Sequence, residues 1–252
     1  DKLTPLVDLY KALVKARHRR GALDFDAPEA QLDIDKHGQI AAIKLQSRNE
    51  AHKLIEECMI LANVAVAREL EQRQVGTLYR VHGEPEERKL DLLLGSLAAL
   101  GIAAEIPAEN LKPRDLRAIT ERLGQSPERP LIESLVIRSM QQAVYQPTNI
   151  GHFGLALEQY AHFTSPIRRY PDLVVHRVLR ELRHGEADEE RRAELEEALP
   201  EVAQHTSAME RRAQEAEREL LQWKKVRFMT DKVGEIFAGY ITGVTAFGLF
   251  VQ

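Results

Sequence analysis

Near residue 232 the hydrophobic period of this chain changes. From about Val202 to Thr230 the pattern is helical, whereas Val233, Ile236, Ala238, Ile241, Val244, Phe247, Leu249 and Val251 alternate and are punctuated by Gly239, Gly243 and Gly248. A period of 3.6 belongs to a helix and a period of 2 to a strand, so one regular element cannot carry both. The switch marks a boundary between a unit over 1–231 and the start of another over 232–252, read as strand, turn, strand.

The larger unit mixes both periods. Leu3–Arg20 reads as an amphipathic helix with Leu6, Leu9, Tyr10, Leu13 and Val14 on one face and Lys11, Lys15 and His18 opposite, stopped by Gly21. Alternation follows at Leu23 and Phe25, Leu32 and Ile34, and Ile40, Ala42 and Ile43, with His37-Gly38 as the hairpin signal. Asn49 or His52 opens a helix with its body over Ala51–Glu71. The spacing then predicts a short strand over Tyr79–His82 and helices over Glu86–Leu100, Pro113–Leu123 and Leu131–Ala143. A strand is expected within Asn149–Phe163, a helix over Ile167–His184 and, after an acidic stretch ending at Pro200, the long helix from Val202. The fold class is α+β.

Composition narrows the function classes. Of 252 residues, 44% are hydrophobic and 29% charged, which argues for a packed globular chain rather than disorder. No apolar run approaches the ~20 residues needed to cross a bilayer. The single Cys58 leaves no internal disulfide and fits a reducing compartment, so the expected location is cytoplasmic, with no membrane partner. A net charge of −4 does not announce a nucleic-acid binder, yet basic residues cluster at Lys15–Arg20, Arg168–Arg169, Arg177–Arg183, Arg211–Arg218 and Lys224–Arg227.

The chemistry concentrates in Gly151–Arg177, GHFGLALEQYAHFTSPIRRYPDLVVHR. Thr164 and Ser165 are placed at a helix start, with Pro166 near the first helical position, where free amides form an anion site. Arg168 and Arg169 follow at once, so guanidinium forks and amides would converge on one phosphate. The plainer reading is an N-capped helix whose arginines make surface ion pairs. The residues alone leave both open.

This stretch resembles the signature of the RNB catalytic domain shared by RNase II, RNase R and the eukaryotic exosome nucleases, with bacterial RNase R the nearest branch. Arg20–Phe25 (RGALDF), His52–Asn63 (HKLIEECMILAN), Leu78–His82 (LYRVH) and Arg211–Met229 are similar to further family segments, and Val233–Gln252 looks like the opening of an S-one-type OB-fold barrel. The resemblance implies an RNB-type mixed sheet flanked by helices, followed by the first strands of an OB-fold β-barrel. It implies a processive 3′→5′ hydrolytic exoribonuclease acting on single-stranded RNA and releasing nucleoside 5′-monophosphates. The alternative is a non-catalytic RNA-binding or interaction module derived from the same family.

Carried over position by position, Arg168 matches the active-site arginine of the SPIR motif, expected to neutralise charge developing at phosphorus. Ser165, Arg169, Tyr170 and His162 flank it as RNA-contacting candidates. Either Glu56 or Glu57 would bind a ribose hydroxyl near the 3′ end, Glu56 being favoured. Glu217 matches a glutamate bordering the RNA channel, whereas Trp223 is assigned to the core. In the barrel segment Phe247 is the candidate for base stacking, with Phe250 expected on the opposite strand face. The resemblance also implies two divalent ions, magnesium or manganese, held by a motif with adjacent aspartates. No Asp-Asp pair occurs in this sequence, and Asp24 with Asp26 and Asp33 with Asp35 do not match that motif. The metal ligands are therefore expected upstream of residue 1. The chain is either shortened or one piece of a split protein, its partners being single-stranded RNA and that upstream part.

Overall fold

The computed structural model describes residues 3–24, 29–46, 49–104, 106–107, 110–124, 126, 128–239 and 241–251, and the side chains of 29–31, 45–46 and 242 are not described. Phe25 and Asp26 lie outside the described residues. The elements run α1 (Thr4–Arg20), β1 (Glu29–Ile34), β2 (Ile40–Gln46), α2 (Glu50–Gln72), β3 (Tyr79–Val81), α3 (Glu87–Ala99), α4 (Pro113–Arg122), α5 (Arg129–Ser139), β4 (Val144–Gln146), α6 (Tyr170–His184), α7 (Glu189–Met229), β5 (Ile241–Thr245) and β6 (Gly248–Val251). Three antiparallel pairs, β1–β2, β3–β4 and β5–β6, supply the strands. A lone parallel bridge from His82 to His152 beside β3–β4 makes that small sheet mixed. The α+β reading holds.

Helix ends follow local chemistry. Asn49 caps α2, its side chain accepting from the His52 amide while His52 Nδ1 accepts from the Asn49 amide, so both candidate start residues belong to one reciprocal cap. Gly21 ends α1 at φ 79°, and a Cβ there would lie 2.6 Å from Arg114 Cβ, so both the turn and the close approach require glycine.

Two apolar clusters hold the helices together. Ala67 and Leu70 of α2, Leu78 and Val81, Tyr145, Val175 and Val178 of α6, and Leu195, Leu199 and Ala203 of α7 form the first. Leu93 and Leu97 of α3, Leu116 and Ile119 of α4, Ile132 and Val136 of α5, with Leu23 and Phe153, form the second. The segment running up to the SPIR turn bridges them, because Phe153 belongs to one cluster and Ala161 to the other.

Four expectations need correction. Asn149–Phe163 contains no strand. Gly151 at φ 77° and Ala156 at φ 51° reverse the backbone around a 3₁₀ turn at Phe153–Leu155, and the segment hangs on β3 through Arg80 N to Tyr160 O at 2.8 Å and Phe153 N to His82 O at 2.8 Å. β4, just past the span assigned to a helix over Leu131–Ala143, is the strand instead. Helix α6 begins at Tyr170, not Ile167. Starting at Ile167 would put Pro171 beyond the first turn, where its ring strikes the carbonyl four residues back and an amide is missing. Finally, α7 spans 41 residues from Glu189 straight through Pro200. Asp188 caps it, Glu189 and Glu190 favour the N-terminal dipole, and Leu195, Leu199 and Ala203 are buried on both sides of the proline, which outweighs a cost of about 3 kcal/mol.

Candidate functional site

The SPIR turn is built around a buried carboxylate. Asp172, in the first turn of α6, is fully enclosed, and its Oδ1 accepts from the Ser165 amide at 2.8 Å and from Arg169 Nη2 at 2.7 Å. The amides of Arg168 and Arg169 donate to the Ser165 carbonyl at 3.3 and 3.0 Å. These amides are therefore engaged, and the expected anion site of free helix-start amides does not form: the helix begins later and Asp172 fills that role. Ser165 is half-buried, Ile167 and Arg168 project outward, and Tyr170 is 51% exposed. The Arg168 side chain makes no hydrogen bond or ion pair with any described residue.

Behind the turn lies a wall of aromatic and imidazole rings. His82, His152, Tyr160, His162 and Tyr145 meet edge to face in sequence, with centroids 5.0 to 5.6 Å apart. Burial, then the cations Arg169 and Arg80, His152 and Arg168, push His162 down to about 2. Burial with His82 and Arg80 pushes His152 down to about 3. Burial raises the Tyr145 hydroxyl to about 12, so it keeps its proton, and it shares a 2.9 Å hydrogen bond with His162 Nδ1. His162 is thus a neutral imidazole. Of the three arginines around it, Arg80 is neutralised by Glu210 at 2.6 Å and Arg169 by Asp172; Arg168 is not.

Asn63 ties this wall to α2. Its Nδ2 donates to Tyr160 Oη at 3.1 Å and its Oδ1 accepts from the Phe163 amide at 2.9 Å. His176 faces inward as well, stacked on Phe163 at 3.9 Å and donating from Nε2 to the Phe163 carbonyl, whereas Arg177 is exposed. The glutamate helix and the arginine turn are therefore one rigid arrangement.

Two turns N-terminal of Asn63, Arg17 of α1 enters the same helix face. Arg17 Nη1 donates to Glu57 Oε1 at 2.7 Å and lies 3.5 Å from Glu56; Nη2 lies 3.5 Å from Asp24. Burial alone would lower the Arg17 guanidinium, but Glu57, Asp24 and Glu56 more than offset it and leave it raised. Glu57 is buried against Arg17, whereas Glu56 is half-exposed. Arg17 and Asp172 were not among the sequence candidates. A signal for Arg17 existed: it falls three residues after Val14 and four after Leu13, a charge on the apolar stripe.

The remaining candidates lie elsewhere. Glu217 is exposed on α7. Trp223 is 56% exposed rather than core, on the last turns of α7, where Lys224 reaches the β1–β2 hairpin. Phe247 is 85% exposed and sits in the β5–β6 turn, so strand alternation does not reach it; its ring meets that of Phe250 edge to face at 6.2 Å instead of facing away. Asp33 pairs with Lys44, and Asp35 accepts from the amides of His37 and Gln39 in the hairpin turn. Among the described residues no three His, Cys, Asp or Glu side chains converge as metal ligands. No helix among them is long and apolar enough to cross a membrane.

Residues 1–185 match the RNB domain, and the chain belongs to that family. Within it the similarity is to bacterial ribonuclease R. Ribonuclease R of Escherichia coli strain K12 is 43% identical over 99% of this chain, and that of Aquifex aeolicus strain VF5 is 46% identical over 100% of this chain. The chain spans about a third of those relatives, 32% and 35%. Mycoplasma genitalium RNase R, solved in complex with ribose-methylated single-stranded RNA, superposes with a TM-score of 0.93 at 26% identity, covering 99% of this chain and 39% of its own. The same protein with double-stranded RNA gives 0.92, over 99% and 44%.

Proposed function

We propose that this chain forms the arginine-bearing side of a 3′→5′ exoribonuclease active site, working with an upstream part of the same protein that carries the metal ligands. The observation behind this reading is Arg168, which, unlike Arg80 and Arg169, makes no ion pair with a described carboxylate and is held outward by a turn anchored on Asp172. A guanidinium in that position is preorganised for a phosphate and requires no rearrangement when charge develops on it.

In the reaction, water adds to the phosphorus of the 3′-terminal phosphodiester and the 3′ oxygen of the preceding nucleotide leaves. A nucleoside 5′-monophosphate is released and the strand is one nucleotide shorter. Magnesium or manganese, held by the upstream part, would supply the activated water and stabilise the leaving oxygen; the described residues here do not bring together three ligands for it. Arg168 holds the phosphate oxygens. Ser165, Arg169 and Tyr170 shape the approach, with Arg169 acting through Asp172. Glu56 takes the ribose hydroxyl, and His162 supports the turn through Tyr145. Glu217 and Phe247 are assigned to the strand's more distant path, and 232–252 to the opening of an OB-fold domain, beginning where α7 closes in the single turn Thr230–Lys232. In the intact enzyme, Arg168→Ala should lower single-turnover cleavage far more than RNA affinity. Equal losses in both would remove the transition-state role.

A further inference from the structure

The last turns of α7 carry a second feature that the arginine turn does not use. Trp223, Lys224, Arg227 and Phe228 form two adjacent pairs at i and i+4, so all four share one face of the helix, and Lys232 continues it just past the helix end. The tip of the β1–β2 hairpin closes the opposite side, where Lys224 Nζ donates to the Gly38 carbonyl at 2.8 Å. Between them lies a cleft of about 920 Å³. That is at the upper end of the ~300–1,000 Å³ typical of ligand clefts.

Its lining alternates rings with cations. Arg227 sits 5.7 Å over the Trp223 ring and Lys232 5.2 Å over the Phe228 ring. Lys224, Arg227 and Lys232 make no ion pair with a described carboxylate, and Asp231 is the only acid in the lining. An exposed indole flanked by unpaired cations every helical turn matches a polymer that offers a flat ring and a phosphate at each repeat. An acidic peptide would satisfy the cations but leave the rings without partners. Glu210 latches α7 to Arg80 beside the imidazole wall, and Trp223 lies 13 residues further along, about 20 Å at 1.5 Å per residue.

We infer that this cleft binds single-stranded RNA, as a stacking and phosphate-holding station about 20 Å along α7 from the Glu210–Arg80 contact. The inference rests on the RNA-processing reading above and adds a separate site to it.

Trp223 is the only tryptophan in the chain, so its fluorescence reports on this cleft alone. The test titrates the 252-residue chain with an oligouridylate of about 12 nucleotides while following Trp223 emission. A fluorescein-labelled copy of the same RNA reports binding anywhere on the chain by anisotropy. The expected result is saturable quenching with the same midpoint as the anisotropy, weakening as potassium chloride rises. Arg227→Ala and Lys224→Ala, both judged folded by circular dichroism, should each reduce the slope of log affinity against log salt by about 0.7. Anisotropy without quenching would overturn the cleft while leaving RNA processing intact. Equal quenching by polyglutamate would overturn it in favour of an acidic protein partner. Neither signal with RNA would sink both this inference and the proposed function.

Discussion

Replacing Asp172 by Ala removes the only described anion beside the Arg169 guanidinium and the only described acceptor of the Ser165 amide. Asp172 is fully enclosed and the Arg169 side chain is 19% exposed, so the surviving charge stays largely buried. Removing one partner of such a pair costs about 3–5 kcal/mol. For a chain of this length each kcal/mol moves the melting midpoint by about 2–4 °C, so the variant should melt roughly 6–20 °C lower. Asp172→Asn keeps an acceptor for the Ser165 amide but loses the charge, and should fall between the variant and the parent. The cycle with Arg169→Met isolates the pair. Once Arg169 is neutral, losing Asp172 should cost markedly less, giving a coupling of at least about 1 kcal/mol. Calorimetry or urea unfolding measures all four proteins. Additive losses, or a midpoint shift under about 2 °C for Asp172→Ala, would refute the anchoring role and the explanation of how Arg168 is held outward.

The two glutamates of α2 should separate in the same assay. Glu57→Ala leaves Arg17 buried without its 2.7 Å partner and should cost about 3–5 kcal/mol, whereas Glu56→Ala, at a half-exposed position 3.5 Å away, should cost under about 1 kcal/mol. Similar urea midpoints for the two would contradict that assignment. Stability should also fall with acid. His162 and His152 remain neutral in the fold down to about 2 and about 3, while the unfolded imidazoles take up protons near the usual 6.5. Stability from each is present above about 6.5 and is lost as pH falls below it, by about 2 kcal/mol per histidine between pH 7 and pH 5. His162→Gln should flatten that slope by nearly one proton, and an unchanged slope would show that His162 titrates in the fold.

What was legible in the sequence is what local chemistry controls. The paired signals Asn49 and His52, the Gly38 turn and the period switch near 232 each stand for a contact made within a few residues, and each reappears as a cap, a hairpin or an element end. The misplacements came from non-local effects. Pro200 signals a break, but packing of Leu195 and Leu199 overrides it. The start of α6 was legible in Pro171, whose position rules out an earlier helix, yet Thr164-Ser165-Pro166 offered a competing and more familiar cap. At the site, Arg168 was singled out through its motif, and the fold leaves its side chain exposed. Asp172 was not, since a lone acid in a helix's first turn is usually a dipole partner in solvent. Only the fold shows that it is enclosed and shared between Ser165 and Arg169. Trp223 failed for the opposite reason: a large aromatic is normally core, and no local pattern shows that α7 outruns the layer it packs against.

The most direct test is nuclease activity with magnesium on a 5′-labelled single-stranded RNA. The chain would be assayed alone and then mixed with a separately expressed upstream part of the same protein. Stepwise shortening from the 3′ end only in the mixture, abolished by Arg168→Ala, is the predicted result. Cleavage by the chain alone would contradict the division of the site between two parts. A mixture that binds RNA without cleaving it would contradict the catalytic reading itself.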